Sequence, residues 1–242
     1  MNEIRELSAE QLAENIARVR ARMAEAAGKA GRDPAGVTLV AVSKTKPVEL
    51  VEMAYNLGVT DFGENRVQEA LPKIERFHPE GLRWHLIGHL QSNKAGKVVE
   101  PFAYIHSVDS LHLAQVLSRH AQEQGQRLAI LLEVNVAGET SKEGISLAEA
   151  PALARQVAEL PALQIEGLMT VAPLAQDPEE VRPVFRELRL LRDRLRIDIP
   201  LGRWTQLSMG MTDDYPIAIE EGATLVRVGR AIFGQRPPLA RG

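Results

Sequence analysis

The residues best able to do chemistry in this chain sit where short apolar runs end. The run VTLVAVS (Val37–Ser43) passes into Ser43-Lys44-Thr45-Lys46-Pro47. Four other polar segments follow the same logic: Phe62-Gly63-Glu64-Asn65, Trp84-His85-Leu86-Ile87-Gly88, Ser208-Met209-Gly210-Met211 and Arg227-Val228-Gly229-Arg230. A lysine amine held near an anion-binding loop and a cation can lose its proton below the usual range and attack an aldehyde. A Lys just past a strand is more often a solvated loop charge, so Lys44 alone decides nothing. Gly210 and Gly229 can expose bare backbone N–H groups to an anion, and a following helix N-terminus adds its dipole. Either glycine could also serve only a tight turn; two such loops at the last two strand ends raise the phosphate reading.

Composition closes off other chemistries. The chain has 242 residues, 45% hydrophobic and 25% charged, enough for a sizeable core. It has no Cys, which removes disulfides, thiolate catalysis, Fe–S clusters and Cys-based zinc sites. His78, His85 and His89 lie close in sequence but lack the i, i+4 spacing of a helical metal pair, so no metal is expected. The net charge of -3 and dispersed basic residues offer nucleic acid no positive stripe. The opening segment MNEIRELSAEQLAENIARVRARM is too polar and acidic for a secretory signal, and no apolar run approaches the ~20 residues of a membrane span. A cytoplasmic protein without a membrane partner is expected.

Positioning these residues requires a repeating scaffold. Ser8 with Gln11 makes a capping box, and Leu12, Ile16, Val19, Met23 and Ala27 recur at helical spacing up to Gly31 and Pro34. That pattern predicts an amphipathic helix before the first strand, Val37–Ser43. Further strand-like pieces lie near Asp61–Gly63, Trp84–Ile87, Ala103–Ser107, Leu128–Val136, Gln164–Met169, Thr205–Ser208 and Leu225–Val228, with helical stretches between them. Helix starts are marked by Asn65 before Gln68, by Ser146 before Glu149, and by Asp177 before Pro178 and Glu180. About eight β/α units predict an α/β fold, a single (β/α)8 TIM-type barrel with an extra N-terminal helix, as one domain over 1–242. An open doubly wound sheet is the alternative. In a barrel, the C-terminal strand ends named above would converge on one face.

The stretch LVAVSKTKP (Leu39–Pro47) resembles the lysine motif of the pyridoxal phosphate homeostasis proteins, small single-barrel relatives of the alanine racemase fold. Four more segments resemble that family in the same order: FGENRVQEA (Phe62–Ala70), WHLIGHLQSNK (Trp84–Lys94), LSMGMTDDYPIAIEEG (Leu207–Gly222) and VRVGRAIFG (Val226–Gly234). The resemblance implies pyridoxal 5'-phosphate as cofactor, with Lys44 as its Schiff-base lysine. It implies Ser208, Gly210, Gly229 and Arg230 around the phosphate, Asn65 near the ring, Arg227 at the pyridine nitrogen, and His85 lining the pocket. A His on a strand is more often a hydrogen-bonded core residue. Some relatives carry Thr where this chain has Arg230, so the backbone amide is the expected contact there.

The same resemblance implies a non-catalytic carrier or regulator in intracellular vitamin B6 and amino-acid homeostasis. Its expected partners are pyridoxal 5'-phosphate and cofactor-requiring apoenzymes, and the expected state is a monomer. The alternative is a weak amino-acid racemase or another pyridoxal-dependent enzyme. Racemases of this fold add a second domain whose Tyr is the opposite-face base, and only a short segment ending RPPLARG follows the last strand run here. Tyr55, Tyr104 and Tyr215 offer no evident substitute. A guanidinium such as Arg227 set against a pyridine nitrogen keeps it unprotonated and weakens the ring as an electron sink. A barrel binding some other phosphate ligand noncovalently is the third reading, should Lys44 be unreactive.

Overall fold

A computed structural model of the chain describes residues 7–139 and 142–234. Helix α1 (Ala9–Lys29) begins at the Ser8 capping box, with both reciprocal bonds formed, and buries Leu12, Ile16, Val19, Met23 and Ala27. Strand β1 (Thr38–Val42) follows, then α2 (Val48–Asn56), β2 (Asp61–Glu64), α3 (Val67–Arg76), β3 (Arg83–Leu86) and β4 (Tyr104–Val108). After α4 (Leu111–Glu123) come β5 (Leu128–Asn135), β6 (Ile145–Ser146), α5 (Ala150–Ala158), β7 (Leu163–Met169) and α6 (Arg182–Asp198). The chain continues through β8 (Gln206–Ser208), α7 (Tyr215–Glu220), β9 (Leu225–Val228) and α8 (Arg230–Phe233).

All strand pairs are parallel, and pairing of β4 with β5 closes the order β4-β3-β2-β1-β9-β8-β7-β5 into an eight-stranded barrel. Val40 of β1 lies beside Asp61 of β2 on one side and Arg227 of β9 on the other. The expected barrel and N-terminal helix are therefore present. Two details differ from the sequence pattern. The short strand β6 pairs with β5 outside the ring, and the β3–β4 crossover is a 3-10 helix, Ser92–Lys97, in place of an α-helix. Gly96 explains the tightness there: a Cβ would lie 3.2 Å from the His120 ring of α4.

Alternation along the strands sorts side chains into two layers. Ala41, Ile130, Leu132, Leu168 and Val226 join the large core under the helices, while their neighbours Val40, Leu131, Met169 and Leu225 form a small cluster inside the ring. The helix-start signals are met unevenly. Ser146 and Glu149 exchange bonds around a turn just ahead of α5, and Asp177 caps a 3-10 turn (Pro178–Val181) that leads into α6. Asn65 caps nothing: α3 starts after Arg66 with no side-chain cap. No helix among the described residues is long and apolar enough to cross a membrane.

Candidate functional site

The turn after β1 is held from outside the ring. Buried Ser43 donates its hydroxyl to Glu64 Oε1 at 2.6 Å, and Lys73 Nζ on α3 donates to the same oxygen at 2.7 Å and to Ser43 O at 2.9 Å. Thr45 then adopts φ 64°, a left-handed conformation costly for a β-branched residue, and Lys46 N bonds back to Ser43 O. Lys46 Nζ donates to Phe233 O at the end of α8, and burial lowers its pKa. Lys44 sits half-buried at the apex of this fixed turn.

The two glycine loops meet at the same end of the barrel. Gly210 has φ 90°, and a Cβ would lie 2.6 Å from Ala218 Cβ and 2.9 Å from Tyr215 Cα, so only glycine lets this loop lie on α7. Arg227 N donates to Gly210 O, tying the loop to β9. Gly229 leads into α8, and a Cβ there would be 3.3 Å from Val42 of β1. Among the described residues, no backbone carbonyl accepts from the amides of Gly210, Gly229 or Arg230. The Arg230 side chain, more than half exposed, instead pairs with Asp213 across the two loops.

Arg227 lies on the inner face of β9, 4% exposed. It donates to Ser208 Oγ at 2.6 Å and to Thr170 O at 2.8 Å. Burial lowers its pKa to about 10, with Glu133 and Asp214 opposing, so the guanidinium is still a cation at neutral pH. Ser208 Oγ in turn lies 2.9 Å from His106 Nδ1, and His106 Nε2 lies 2.9 Å from His85 Nδ1. His85 Nε2 meets Asp61 Oδ1 at 2.8 Å, where Arg83 also donates. Because β4 and β8 are not neighbours in the ring, the His106–Ser208 bond spans the barrel interior.

The predicted set is thus partly regrouped. Lys44, Gly210, Gly229 and Arg230 lie at the C-terminal strand ends, and Asn65 follows β2 with its Oδ1 buried and without a hydrogen-bond partner. Gly88 allows that strand exit to pass close, since a Cβ would lie 2.5 Å from Asn65 O. His85 sits deeper than expected: both ring nitrogens are taken inside the barrel, so it supports the site from below and has no nitrogen left to line a pocket. The Ser208 hydroxyl is likewise turned inward, to Arg227 and His106. His78, His85 and His89 lie apart: His78 bonds Ile74 O, His85 is interior, and His89 is half-exposed, 4.0 Å from Asp109 and 3.8 Å from Glu143.

Asp61, His106 and Glu133 carry no motif that marks a role in the sequence. Glu133 on β5 is 8% exposed, and burial, reinforced by Asp109, raises its pKa to about 7. The available signal was a polar residue amid an apolar parallel strand, in YIHSV and LLEVN, which must be buried and therefore must be matched. Together the mouth offers an amine, amides that no backbone carbonyl among the described residues takes up, a fixed cation and an unmet acceptor. That set suits a phosphorylated aldehyde with a hydrogen-bonding ring.

Comparison with known proteins agrees with this geometry. The pattern of the alanine racemase N-terminal domain matches residues 7–237. A pyridoxal phosphate homeostasis protein of Pseudomonas aeruginosa is 48% identical over 225 residues, covering 93% of this chain and 96% of that one. A protein of the same description from Aquifex aeolicus is 42% identical over 223 residues, covering 92% and 97%. The structure of PipY from Synechococcus elongatus with PLP bound matches with a TM-score of 0.82 at 42% identity, over 93% of this chain and 100% of PipY. Alanine racemase of Clostridium difficile shares the fold at 16% identity, with a TM-score of 0.70 over 84% of this chain and 56% of the racemase. The chain belongs to the pyridoxal phosphate homeostasis protein family, built on the alanine racemase N-terminal domain.

Proposed function

We propose that the chain, as one barrel domain acting as a monomer, is a carrier and regulator of pyridoxal 5'-phosphate rather than an enzyme. It would serve vitamin B6 and amino-acid homeostasis in the cytoplasm, with cofactor-requiring apoenzymes as partners. When bound, the cofactor supplies an aldehyde for condensation with amines and a pyridine ring that can draw electrons. Lys44 is the amine that would hold the aldehyde carbon. The amides of Gly210, Gly229 and Arg230 would hold the phosphate, Asn65 would meet the ring, and Arg227 would meet the pyridine nitrogen. Ser208 enters through Arg227, since its hydroxyl is already used. The fit is supported by the buried, unmatched Asn65 Oδ1 and by loops that a Cβ at Gly210 would block.

The observation that carries the carrier reading is Arg227, a buried cation fixed at two points. A permanent charge there disfavours a proton on the pyridine nitrogen, so the ring draws electrons weakly and carbanion chemistry is poorly supported. The tyrosines add to this. Tyr55 donates to Glu80 O on the outside, Tyr104 opens β4 at the end away from the mouth, and Tyr215 packs beneath Arg22 of α1. The test loads the protein with pyridoxal 5'-phosphate, reduces it with borohydride and maps the labelled peptide, with the label expected on Lys44. The loaded protein incubated with L-alanine in deuterium oxide should exchange no α-proton faster than free cofactor does. A label on Lys46, or turnover at ordinary enzyme rates of about 1–10³ per second, overturns the reading.

A further inference from the structure

The run of buried polar groups from Asp61 to Arg227 lies in the middle of the barrel and exceeds what holding an anion at the mouth requires. Its direction follows from donor and acceptor chemistry. Asp61 is an ionised carboxylate: burial works against its charge, but bonds from His85 and Arg83 hold its pKa below the usual range. It can only accept, so His85 Nε2 carries a proton. His85 and His106 are each 0% exposed, and burial drives both toward the neutral form. A neutral His85 has a lone pair on Nδ1, which must accept from His106 Nε2–H. His106 Nδ1 then accepts from the Ser208 hydroxyl, and Ser208 Oγ is left as the acceptor for Arg227 Nη1–H. Reversal would need a buried imidazolium at His85, and the Ser208 hydroxyl proton would then point at a guanidinium that accepts nothing.

We propose that Asp61, His85 and His106 are positioning residues for Arg227, forming a one-way hydrogen-bond relay from the far end of the barrel that fixes the guanidinium for the cofactor's pyridine nitrogen. Arg227 has no hydrogen bond to a carboxylate among the described residues; Glu133 and Asp214 act on it only through space. The relay keeps the Ser208 lone pair aimed at Nη1, while Thr170 O holds Nη2. Two points fix the plane of the group, and a guanidinium has five N–H donors, more than these two bonds use. At the other end, Asp61 is anchored by Arg83 and by the Thr60 hydroxyl at 2.8 Å. The inference rests on the reading that Arg227 meets the pyridine nitrogen.

Long-range ¹H–¹⁵N NMR on the cofactor-free protein tests the relay by itself. Both imidazoles are expected neutral with the proton on Nε2. An Nδ1–H tautomer or an imidazolium at either ring overturns the assignment. For the loaded protein, His106→Leu removes the relay, while His106→Gln keeps one donor and one acceptor in its place. His106→Leu is expected to weaken pyridoxal 5'-phosphate binding about tenfold, the effect of losing one hydrogen bond that orders a charged group, and to shift the visible band of the bound cofactor. His106→Gln is expected to restore both. Equal band and affinity in His106→Leu and the unmutated protein would overturn the proposal. Should His106→Leu fail to fold, the tautomers of the unmutated protein and the behaviour of His106→Gln remain decisive. A failure of the cofactor reading shows separately, as no borohydride label on Lys44.

Discussion

Outward from the strands, Phe62, Trp84, Leu86, Ile105, Ile130 and Leu132 pack under the helices in one continuous apolar core. Inward, the buried apolar cluster is four residues, Val40, Leu131, Met169 and Leu225, and much of the remaining space holds Asp61, His85, His106, Ser208 and Arg227. The outer layer answers to volume, which many apolar combinations satisfy. The inner layer answers to donor and acceptor matching, where each donor needs a placed acceptor and a vacancy is costly. Outer substitutions should therefore change stability and leave the cofactor chemistry alone. Substitutions in the polar interior and at the mouth it supports should change chemistry and pH response first.

The largest effect expected is at the mouth. Lys44→Ala should abolish the borohydride-trapped label entirely, measured by peptide mass spectrometry, while the cofactor-free protein still unfolds cooperatively. Persistence of the label would break the comparison at its centre. Phe185→Ala makes the opposite point. Phe185 on α6 is 0% exposed within the outer core, and its truncation should cost about 3–5 kcal/mol in denaturant unfolding. The fraction that remains folded should still take the label on Lys44. If Phe185→Ala removed the label from folded protein, the two layers would not be separable in function.

Glu133 sharpens the contrast because it is a buried carboxyl whose charged form the interior disfavours. Its pKa is 4.5 in an unperturbed state and about 7 when folded, raised by burial and by Asp109. The folded state thus binds the proton more tightly than the unfolded one. Stability linked to this group is fully present below about pH 4.5 and is lost as pH rises through about 7. The full difference is about 3 kcal/mol. Glu133→Gln should therefore be more stable than the unmutated protein above neutral pH, by up to that amount, with the gain vanishing in acid. Urea unfolding across this range measures it, and a pH-independent difference would show that the carboxyl is not buried as a charge.

How much of this could be read before the structure follows from the same two layers. The barrel order and α1 were legible because apolar runs and the Ser8–Gln11 capping box are local signals. Strand β6 was not, being two residues long and reached through Gly144 at φ 103°. Lys44, Gly210, Arg227 and Gly229 stand out as candidates in the sequence because they close strand runs. His106 and Glu133 lie within such runs, and His106 meets its partner Ser208 across 102 residues. Asn65 misled as a helix cap because it stays half-buried beside β2, with its Oδ1 buried and unpaired, and α3 starts after Arg66.

The smallest effect expected is at Arg230, where the comparison predicts almost nothing. Its side chain is 56% exposed and its partner Asp213 is 66% exposed. An ion pair that open gains little, because water screens the charges and both side chains lose freedom, so about 0–1 kcal/mol is at stake. The phosphate reading uses the Arg230 backbone amide, which any residue but proline supplies. Arg230→Thr should therefore keep cofactor affinity within about threefold, the equivalent of well under 1 kcal/mol. Gly229→Pro, which removes a neighbouring amide donor, should weaken binding by tenfold or more, as expected for loss of a charge-assisted bond worth about 1.5–3 kcal/mol. Titration of both variants with pyridoxal 5'-phosphate and with pyridoxal separates the cases. If Arg230→Thr lost more affinity than Gly229→Pro, and lost it only for the phosphate ester, the side chain rather than the amide would be the anion's contact, and the exposed rim of the mouth would have to be counted with its interior.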